Sequence, residues 1–392
     1  MRSIGVVTGS RADYGLYVPL LRRIADDPSL ELLLYATGTH LSPEFHETVT
    51  DIERDGFQVA ERVDATLACD RPSGVAKAMG LGTIGFAQVF SRRRPDLLVV
   101  LGDRFEMHAA ALAALPFTIP LAHIHGGELT LGAFDDALRH SLTKLSHLHF
   151  TATDEYARRV VQLGEERWRV SVSGALGLDN VAQIQLMSVK ELEDLIGLSL
   201  EPPPLLVTFH PTTLEYESAV WQTQQLCAAL GSVGRPLVFT APNADTAGRA
   251  IRKELETFVG RDPRSRLVEN LGTRGYFSVM AIAGAMVGNS SSGIIEAMTF
   301  HLPVVNVGRR QEGRLKDVNV IDVGYRTAEI QHGIEQALAA DMKTRLAGRT
   351  NRYGDGRAAE RILSKLKDVP LDKSLLKKTF LDLPLSQLMD VH

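Results

Sequence analysis

The 392-residue chain carries a formal net charge of −4, 43 Lys and Arg against 47 Asp and Glu, which gives no reason to expect nucleic acid or an anionic membrane as partner. The length is too great for one ordinary domain and suits two, each with a substantial core. Cys69 and Cys227 form no metal-ligand spacing, and there is neither a signal-peptide pattern nor a membrane-length apolar run, so a soluble cytoplasmic protein is the expectation.

Ser3 to Thr8 is a short apolar run ending in Gly9-Ser10-Arg11-Ala12-Asp13-Tyr14-Gly15, after which Leu16, Leu20, Leu21 and Ile24 recur at helical spacing. Strand, glycine turn and helix present backbone N–H groups at a helix N-terminus, and Arg11 adds a fixed positive charge, which together suit a phosphate. Arg11 reads equally as a surface arginine in a turn. The turn is neither a GxGxxG fingerprint nor a Walker loop, so nicotinamide cofactors and ordinary ATP binding lose support. Strands over Leu30 to Ala36, Val59 to Val63 and Leu97 to Leu101 alternate with helices near Pro43 to Asp55 and Pro72 to Ser91, the signature of an α/β fold with a doubly wound parallel sheet. Leu97-Leu98-Val99-Val100-Leu101 is apolar on both faces, as a central parallel strand is.

Asp103 follows that strand and precedes a helix over Phe105 to Ala114. It is either the helix N-cap or an acid at the carboxyl edge of the sheet, where open α/β folds put their chemistry. The next strand releases His123-Ile124-His125-Gly126-Gly127-Glu128, followed by Asp135, Asp136, Arg139 and His140 around a helix over Ala137 to Ser146. The glycine pair lets a substrate approach the backbone, and Glu128, Asp135 and Asp136 are acids that can trade protons. The plainer alternative is a polar loop with the Asp pair capping the helix and the histidines satisfied within it.

A strand over His149 to Ala152, a helix over Asp154 to Leu163 and a strand over Val170 to Gly174 close a first domain, residues 1–180. The pattern then loosens to a helix around Val189 to Ile196, and Pro202-Pro203-Pro204 marks a boundary. A second domain, 200–366, restarts the same grammar: strands over Leu205 to Phe209, Leu237 to Thr240, Arg266 to Val268, Ala285 to Gly288, Pro303 to Val307 and Ile321 to Val323, with helices between. Its strand ends carry His210-Pro211-Thr212-Thr213 and Pro242-Asn243-Ala244-Asp245. Asn289-Ser290-Ser291-Ser292-Gly293 leads into a helix over Ile294 to Phe300, and hydroxyls with N–H groups there form either an anion cradle or a plain serine cap. Glu296, one turn in, can accept two hydrogen bonds from a ribose diol. Arg309, Arg310 and Arg314 meet a diphosphate or are merely solvated. A closing helix over Arg357 to Leu366 ends the domain, and 367–392 is a tail whose weakly amphipathic part, Leu375 to Leu388, packs on a surface.

In order and spacing, GSRADYG (Gly9 to Gly15), LGDRFE (Leu101 to Glu106), HIHGGE with DDALRHSLTKLSH (His123 to His147), FHPTT (Phe209 to Thr213), PNAD (Pro242 to Asp245), GNSSSG (Gly288 to Gly293) and GRRQEGR (Gly308 to Arg314) resemble the hydrolysing UDP-N-acetylglucosamine 2-epimerases of sialic and legionaminic acid synthesis. The resemblance spans roughly residues 3 to 325. It implies a GT-B type fold, two Rossmann-like domains facing a central cleft, the first holding the sugar and the second the nucleotide, in a homodimer without nicotinamide, metal or other cofactor. It further implies loss of the nucleoside diphosphate to a 2-acetamidoglucal and hydration to free N-acetylmannosamine. The same reaction on UDP-2,4-diacetamido-2,4,6-trideoxyglucose, or on a GDP-linked sugar, is the alternative, and a glycosyltransferase or a sensor without turnover is disfavoured by the density of acids.

By residue, the resemblance implies catalytic roles for Asp103 and Asp135 first and Glu128 and His125 second, with His210 near the phosphates. It places Arg11, Ser290, Ser291 and Arg314 on the diphosphate, Asn243 and Glu296 on the nucleoside side, and Ser292, with Asp136, Arg139 and His140 beside the acids, among the further nucleotide-sugar contacts. Some relatives have glutamate where this chain has His125, in a HIEGGE form of the motif, which leaves the second acid/base role open between His125 and Glu128.

Overall fold

A computed structural model describes residues 1–43, 47–65, 72–131, 134–242 and 247–382. The chain forms two compact units: Met1–Glu128, Phe134–Asn180 and the segment from Tyr353 onward, and Val181–Arg352 with the short stretch from Leu129.

The first unit is built on seven strands, β1 (Arg2–Thr8), β2 (Leu30–Thr37), β3 (Val59–Val63), β4 (Leu97–Leu101), β5 (Leu121–Ile124), β6 (Leu148–Thr151) and β7 (Val170–Val172). They are parallel, in the order β3-β2-β1-β4-β5-β6-β7. Every residue of β4 is buried, each contributing about 1.5–3 kcal/mol of hydrophobic stabilisation on typical transfer values. The second unit repeats the arrangement with β8 (Leu205–Thr208), β9 (Leu237–Thr240), β10 (Ser265–Val268), β11 (Ala285–Gly288), β12 (Val304–Val307) and β13 (Val320–Val323), in the order β10-β9-β8-β11-β12-β13. The sideways order in which the parallel strands are laid down reverses between β1 and β4, and again between β8 and β11. At such switch points the loops leaving adjacent strands splay to opposite faces and open a crevice at the carboxyl edge.

Two sequence expectations are corrected. The chain passes between units after Asn180 rather than at the triple proline, because the helix Val189–Ile196 buries Leu192 and Ile196 among Leu206, Phe277 and Met280 of the second core. The closing helix, Ala358–Asp368, belongs to the first unit, not the second: Ile362 and Leu366 lie in the core with Ile4 and Leu20, and buried Asp179 accepts the N–H groups of Ala358 and Ala359 at 2.8 and 2.9 Å. The helices Leu176–Gln183, Thr327–Leu338 and Ala340–Leu346 were not foreseen. The part of the weakly amphipathic tail stretch, Leu375 to Leu388, that lies beyond residue 382 falls outside the described residues, as do residues 44–46 of the helix expected over Pro43 to Asp55, of which Val49–Arg54 is helical. Among the described residues no helix is long and apolar enough to cross a membrane.

Candidate functional site

In the first unit β4 and β5 run in register, Leu101 beside Ile124, and Gly102 N–H donates to the Ile124 carbonyl at 2.9 Å. Asp103 and His125 therefore leave the sheet side by side. Asp103 does not cap the following helix; Arg104 holds that position without a side-chain capping bond. Instead the Asp103 carboxylate pairs with Arg139, whose other terminal nitrogen donates to the His125 carbonyl at 2.8 Å. The acid is 21% exposed and the arginine 3%, so the counter-ion backs a carboxylate that faces outward.

His125 sits in the left-handed region, φ 64°, where a non-glycine residue is unusual. Its N–H donates to the Phe150 carbonyl at 2.8 Å, its Nε2 accepts from Leu176 N–H at 3.4 Å, and its Nδ1 lies 3.3 Å from Glu128 Oε1. With Nε2 an acceptor, the ring proton belongs on Nδ1 and faces Glu128, which is 2% exposed. His123 is fully buried between the Gly102 carbonyl, 2.7 Å from Nε2, and Thr143 Oγ1, 3.2 Å from Nδ1; burial pushes its pKa to about 3, so it is a neutral structural group. Gly127, at φ 78°, could carry no side chain, since a Cβ would lie 2.4 Å from the Tyr156 carbonyl oxygen.

The helix bearing the remaining acids is Asp135–Leu145, two residues longer at its start than the sequence suggests. Asp135 and Asp136 thus stand in its first turn rather than capping it. Burial, and then the charge of Asp103, raise the Asp135 pKa from 3.8 to about 6. Asp136 Oδ2 and His140 Nε2 are 3.5 Å apart, one turn along the helix, each about a quarter exposed.

At the end of β1, Ser10 caps the helix Arg11–Ala25 by accepting Asp13 N–H at 3.3 Å, leaving Arg11 exposed in the first turn. Behind it lies a cluster the sequence did not announce. Asp13 accepts Gly9 N–H at 3.3 Å and sits 3.8 Å from Arg104, which makes 2.7 and 3.1 Å bonds to buried Glu106. Burial, partly opposed by Arg104, lifts Asp13 to about 6. The three residues tie the β1 loop to the loop that carries Asp103, across the switch point. The only local signal was the presence of charges inside two glycine turns.

In the second unit the corresponding loops follow β8 and β11. Gly288 has φ 135° and a Cβ there would fall 2.0 Å from the Thr208 carbonyl oxygen, so only glycine lets the strands approach this closely. Asn289, whose side chain the sequence assigned no role, binds His210 twice, its Oδ1 accepting the backbone N–H at 2.7 Å and its Nδ2 donating to the carbonyl at 2.8 Å. The Asn289 carbonyl in turn accepts from Arg310 at 3.0 Å and Gln311 at 2.8 Å. His210, Asn289 to Ser292 and the arginine loop are thereby one assembly. Burial, and then Arg310, push the His210 pKa to about 3, leaving a neutral imidazole near the arginines.

Ser290 Oγ accepts Ser292 N–H at 3.3 Å. The helix expected over Ile294 to Phe300 is instead one α turn, Ser292–Ile295, then a 3-10 turn, Ala297–Phe300. Any anion binding there rests on hydroxyls and local N–H groups rather than on a long helix's dipole. Burial raises the pKa of Tyr276, another residue the sequence did not single out, and the side chains of Ser292, Thr208 and Ser290 oppose that rise. Glu296, buried, lies at the junction of the two turns, Arg314 follows β12 in the basic loop, and Asn243 lies outside the described residues.

Arg11, Asp103, His125, Glu128, Asp135, Asp136, Arg139 and His140 thus lie on the first unit, where Asp103, Arg139, His125 and Glu128 are linked, and His210, Ser290, Ser291, Ser292, Glu296 and Arg314 lie on the second. Arg139, expected beside the acids as a nucleotide-sugar contact, is buried and pairs with Asp103.

Residues 22–367 match the family model of UDP-N-acetylglucosamine 2-epimerase. The chain is 38% identical over 385 residues, 97% of its length and 99% of the relative's, to the GDP/UDP-N,N'-diacetylbacillosamine 2-epimerase (hydrolyzing) of Campylobacter jejuni. It is 37% identical over 378 residues, 96% of its length and 99% of the relative's, to the UDP-N,N'-diacetylbacillosamine 2-epimerase (hydrolyzing) of Legionella pneumophila. Among solved structures, UDP-GlcNAc 2-epimerase from Neisseria meningitidis bound to UDP-GlcNAc superposes with a TM-score of 0.80 at 17% identity, over 94% of this chain and all of that one. That likeness shows the fold, two doubly wound α/β domains of the GT-B type.

Proposed function

Because the chain belongs to the UDP-N-acetylglucosamine 2-epimerase family, we propose that it is a hydrolysing 2-epimerase whose substrate is a nucleoside-diphosphate-linked 2,4-diacetamido-2,4,6-trideoxyglucose. The near full-length likeness to the two diacetylbacillosamine enzymes supports that sugar over N-acetylglucosamine, the first expectation from sequence. The observation that carries the chemistry is the acid cluster at the carboxyl edge of β4 and β5.

Carbon 2 of such a sugar has no adjacent carbonyl, so its proton becomes removable only as the C1–O bond to the diphosphate breaks and positive charge develops on the ring. Breaking that bond and the C2–H bond leaves a C1=C2 double bond; water then adds its oxygen to C1 and a proton to C2. Since C2 inverts, the proton departs from one face and arrives on the other, and two groups are needed. Asp103, fixed by Arg139, and Asp135, whose pKa of about 6 lets it both accept and return a proton near neutrality, are that pair. Glu128 and His125 form the supporting dyad: both His125 ring nitrogens face protein groups, so it orients Glu128 and, through its carbonyl, Arg139. Asp136 and His140 contact the sugar. On the second unit Ser290, Ser291, Ser292 and Arg314 bind diphosphate, neutral His210 donates or accepts a hydrogen bond beside it, and Glu296 and Asn243 bind the nucleoside. The enzyme works in the cytoplasm as a homodimer.

Proton NMR in deuterated water tests this with UDP-linked 2,4-diacetamido-2,4,6-trideoxyglucose and UDP-N-acetylglucosamine in parallel. Release of UDP and a free 2-epimer deuterated at C2 from the first sugar, faster than from the second, is the expected result. Preference for UDP-N-acetylglucosamine would return the substrate to N-acetylmannosamine production, and turnover of neither would sink the epimerase reading.

A further inference from the structure

The far end of the first unit's chain is fastened to the helix that bears the acids, and we propose that Lys378 is a positioning residue for that helix. The inference rests on the proposed roles of Asp103 and Asp135.

A helix leaves its last carbonyls without intrahelical partners. At the end of Asp135–Leu145, the Lys144 and Ser146 carbonyls accept from Lys378 Nζ at 2.8 and 2.5 Å, and the ammonium's third bond goes to Glu165 Oε1 at 2.9 Å. A cation in that place also complements the negative end of the helix dipole. Glu165, fully buried, is itself fixed by Lys144 at 2.7 Å and His149 at 2.9 Å, so the lysine closes a network rather than lying on a surface.

The segment that delivers Lys378 is anchored independently. Arg169, 1% exposed, donates to the carbonyls of Ser374, Leu375 and Lys377 at 3.1, 2.8 and 3.0 Å. Leu381 N–H donates to the Gly164 carbonyl at 2.9 Å, and the Lys144 ammonium stands 4.9 Å from the Phe380 ring centre. One end of an eleven-residue helix is thus locked to the terminal strap, while the other end carries Asp135 and, one turn in, the Arg139 that holds Asp103. A helix that short is a rigid rod of about 16 Å. Loosening its carboxyl end shifts the acids at its start, and a misplacement of about 1 Å is worth roughly a hundredfold in rate.

The test uses the full chain with Lys378→Met, Lys378→Arg and, as a control on the same terminal segment, Lys367→Met, which removes only a pair with Asp27. Turnover of the diacetamido sugar, UDP affinity, melting temperature and amide hydrogen exchange of residues 135–146 are measured. Lys378→Met should lower kcat by about tenfold to a hundredfold, leave KM and UDP affinity unchanged and speed exchange in the helix; Lys378→Arg should restore both, and Lys367→Met should change neither. Unaltered kcat and exchange in Lys378→Met would overturn the proposal. So would a joint fall of kcat, UDP affinity and melting temperature without rescue by arginine, since that marks a general stability element. If the parent chain turns over neither sugar, the reaction reading falls, and helix exchange alone then decides the clamp.

Discussion

Replacing Asp135 with asparagine should stabilise the first unit at pH 8 while removing turnover. The carboxyl is protonated in both folded and unfolded chains well below pH 3.8. As pH rises from there the unfolded chain ionises first, and native stability declines until the folded group titrates near 6, after which the full penalty stands. Lifting a carboxyl from 3.8 to about 6 corresponds to about 3 kcal/mol, at about 1.4 kcal/mol per pH unit. The side chain retains partial contact with water, which screens the effect and brings it to about 1–1.5 kcal/mol. Urea unfolding at pH 4 and pH 8 measures the difference. The chain has two tryptophans, Trp168 in the first unit and Trp221 in the second, so a Trp221→Phe background lets Trp168 report the first unit alone. The expected pattern is a gain of that size at pH 8 and almost none at pH 4, with turnover down by at least about a hundredfold. Equal stability at pH 8, or the same gain at both pH values, would refute the argument, because the gain must come from ionisation.

Asp103→Asn should abolish turnover yet keep UDP affinity, since the Arg139 pair and the nucleotide loops lie on different units; wild-type rates would remove Asp103 from the mechanism. His125→Asn, a residue that tolerates the left-handed backbone, should lower kcat about tenfold while both limbs of the pH profile persist. Loss of a limb would instead make His125 a proton-transfer group. Gly127→Ala should destabilise the first unit by about 2–5 kcal/mol, through the strain of its φ and the approach to the Tyr156 carbonyl, as read by the same Trp168 melt. A change under 1 kcal/mol would show that the loop can shift.

Much of the scaffold was legible because it is local. Leu97 to Leu101 reads as a buried strand from five adjacent residues, and the spans Val59–Val63, Phe105–Ala114, Val189–Ile196, Leu237–Thr240 and Ala285–Gly288 match expectation to the residue. Period and turn chemistry act within a few positions, so a single sequence contains them. The motifs at strand ends were legible for the same reason, since a glycine-rich turn after an apolar run announces the carboxyl edge of a sheet.

What the amino-acid order alone determined, then, was the inventory of acids, histidines and serines and the edges on which they fall. The tertiary structure decided which of them meet. Asp103 reaches Arg139 across 36 residues and His125 offers one ring nitrogen to Leu176 across 51. Asp13 and Glu106 share Arg104, Asp179 caps a helix 179 residues later, and Lys378 returns across 232 residues to Ser146. Each pairing depends on strand order and on the chain's return to the first unit. Burial then assigned the roles, raising Asp135 and leaving His123 and His210 neutral, because desolvation is a property of the packed whole and has no signature in the neighbouring residues.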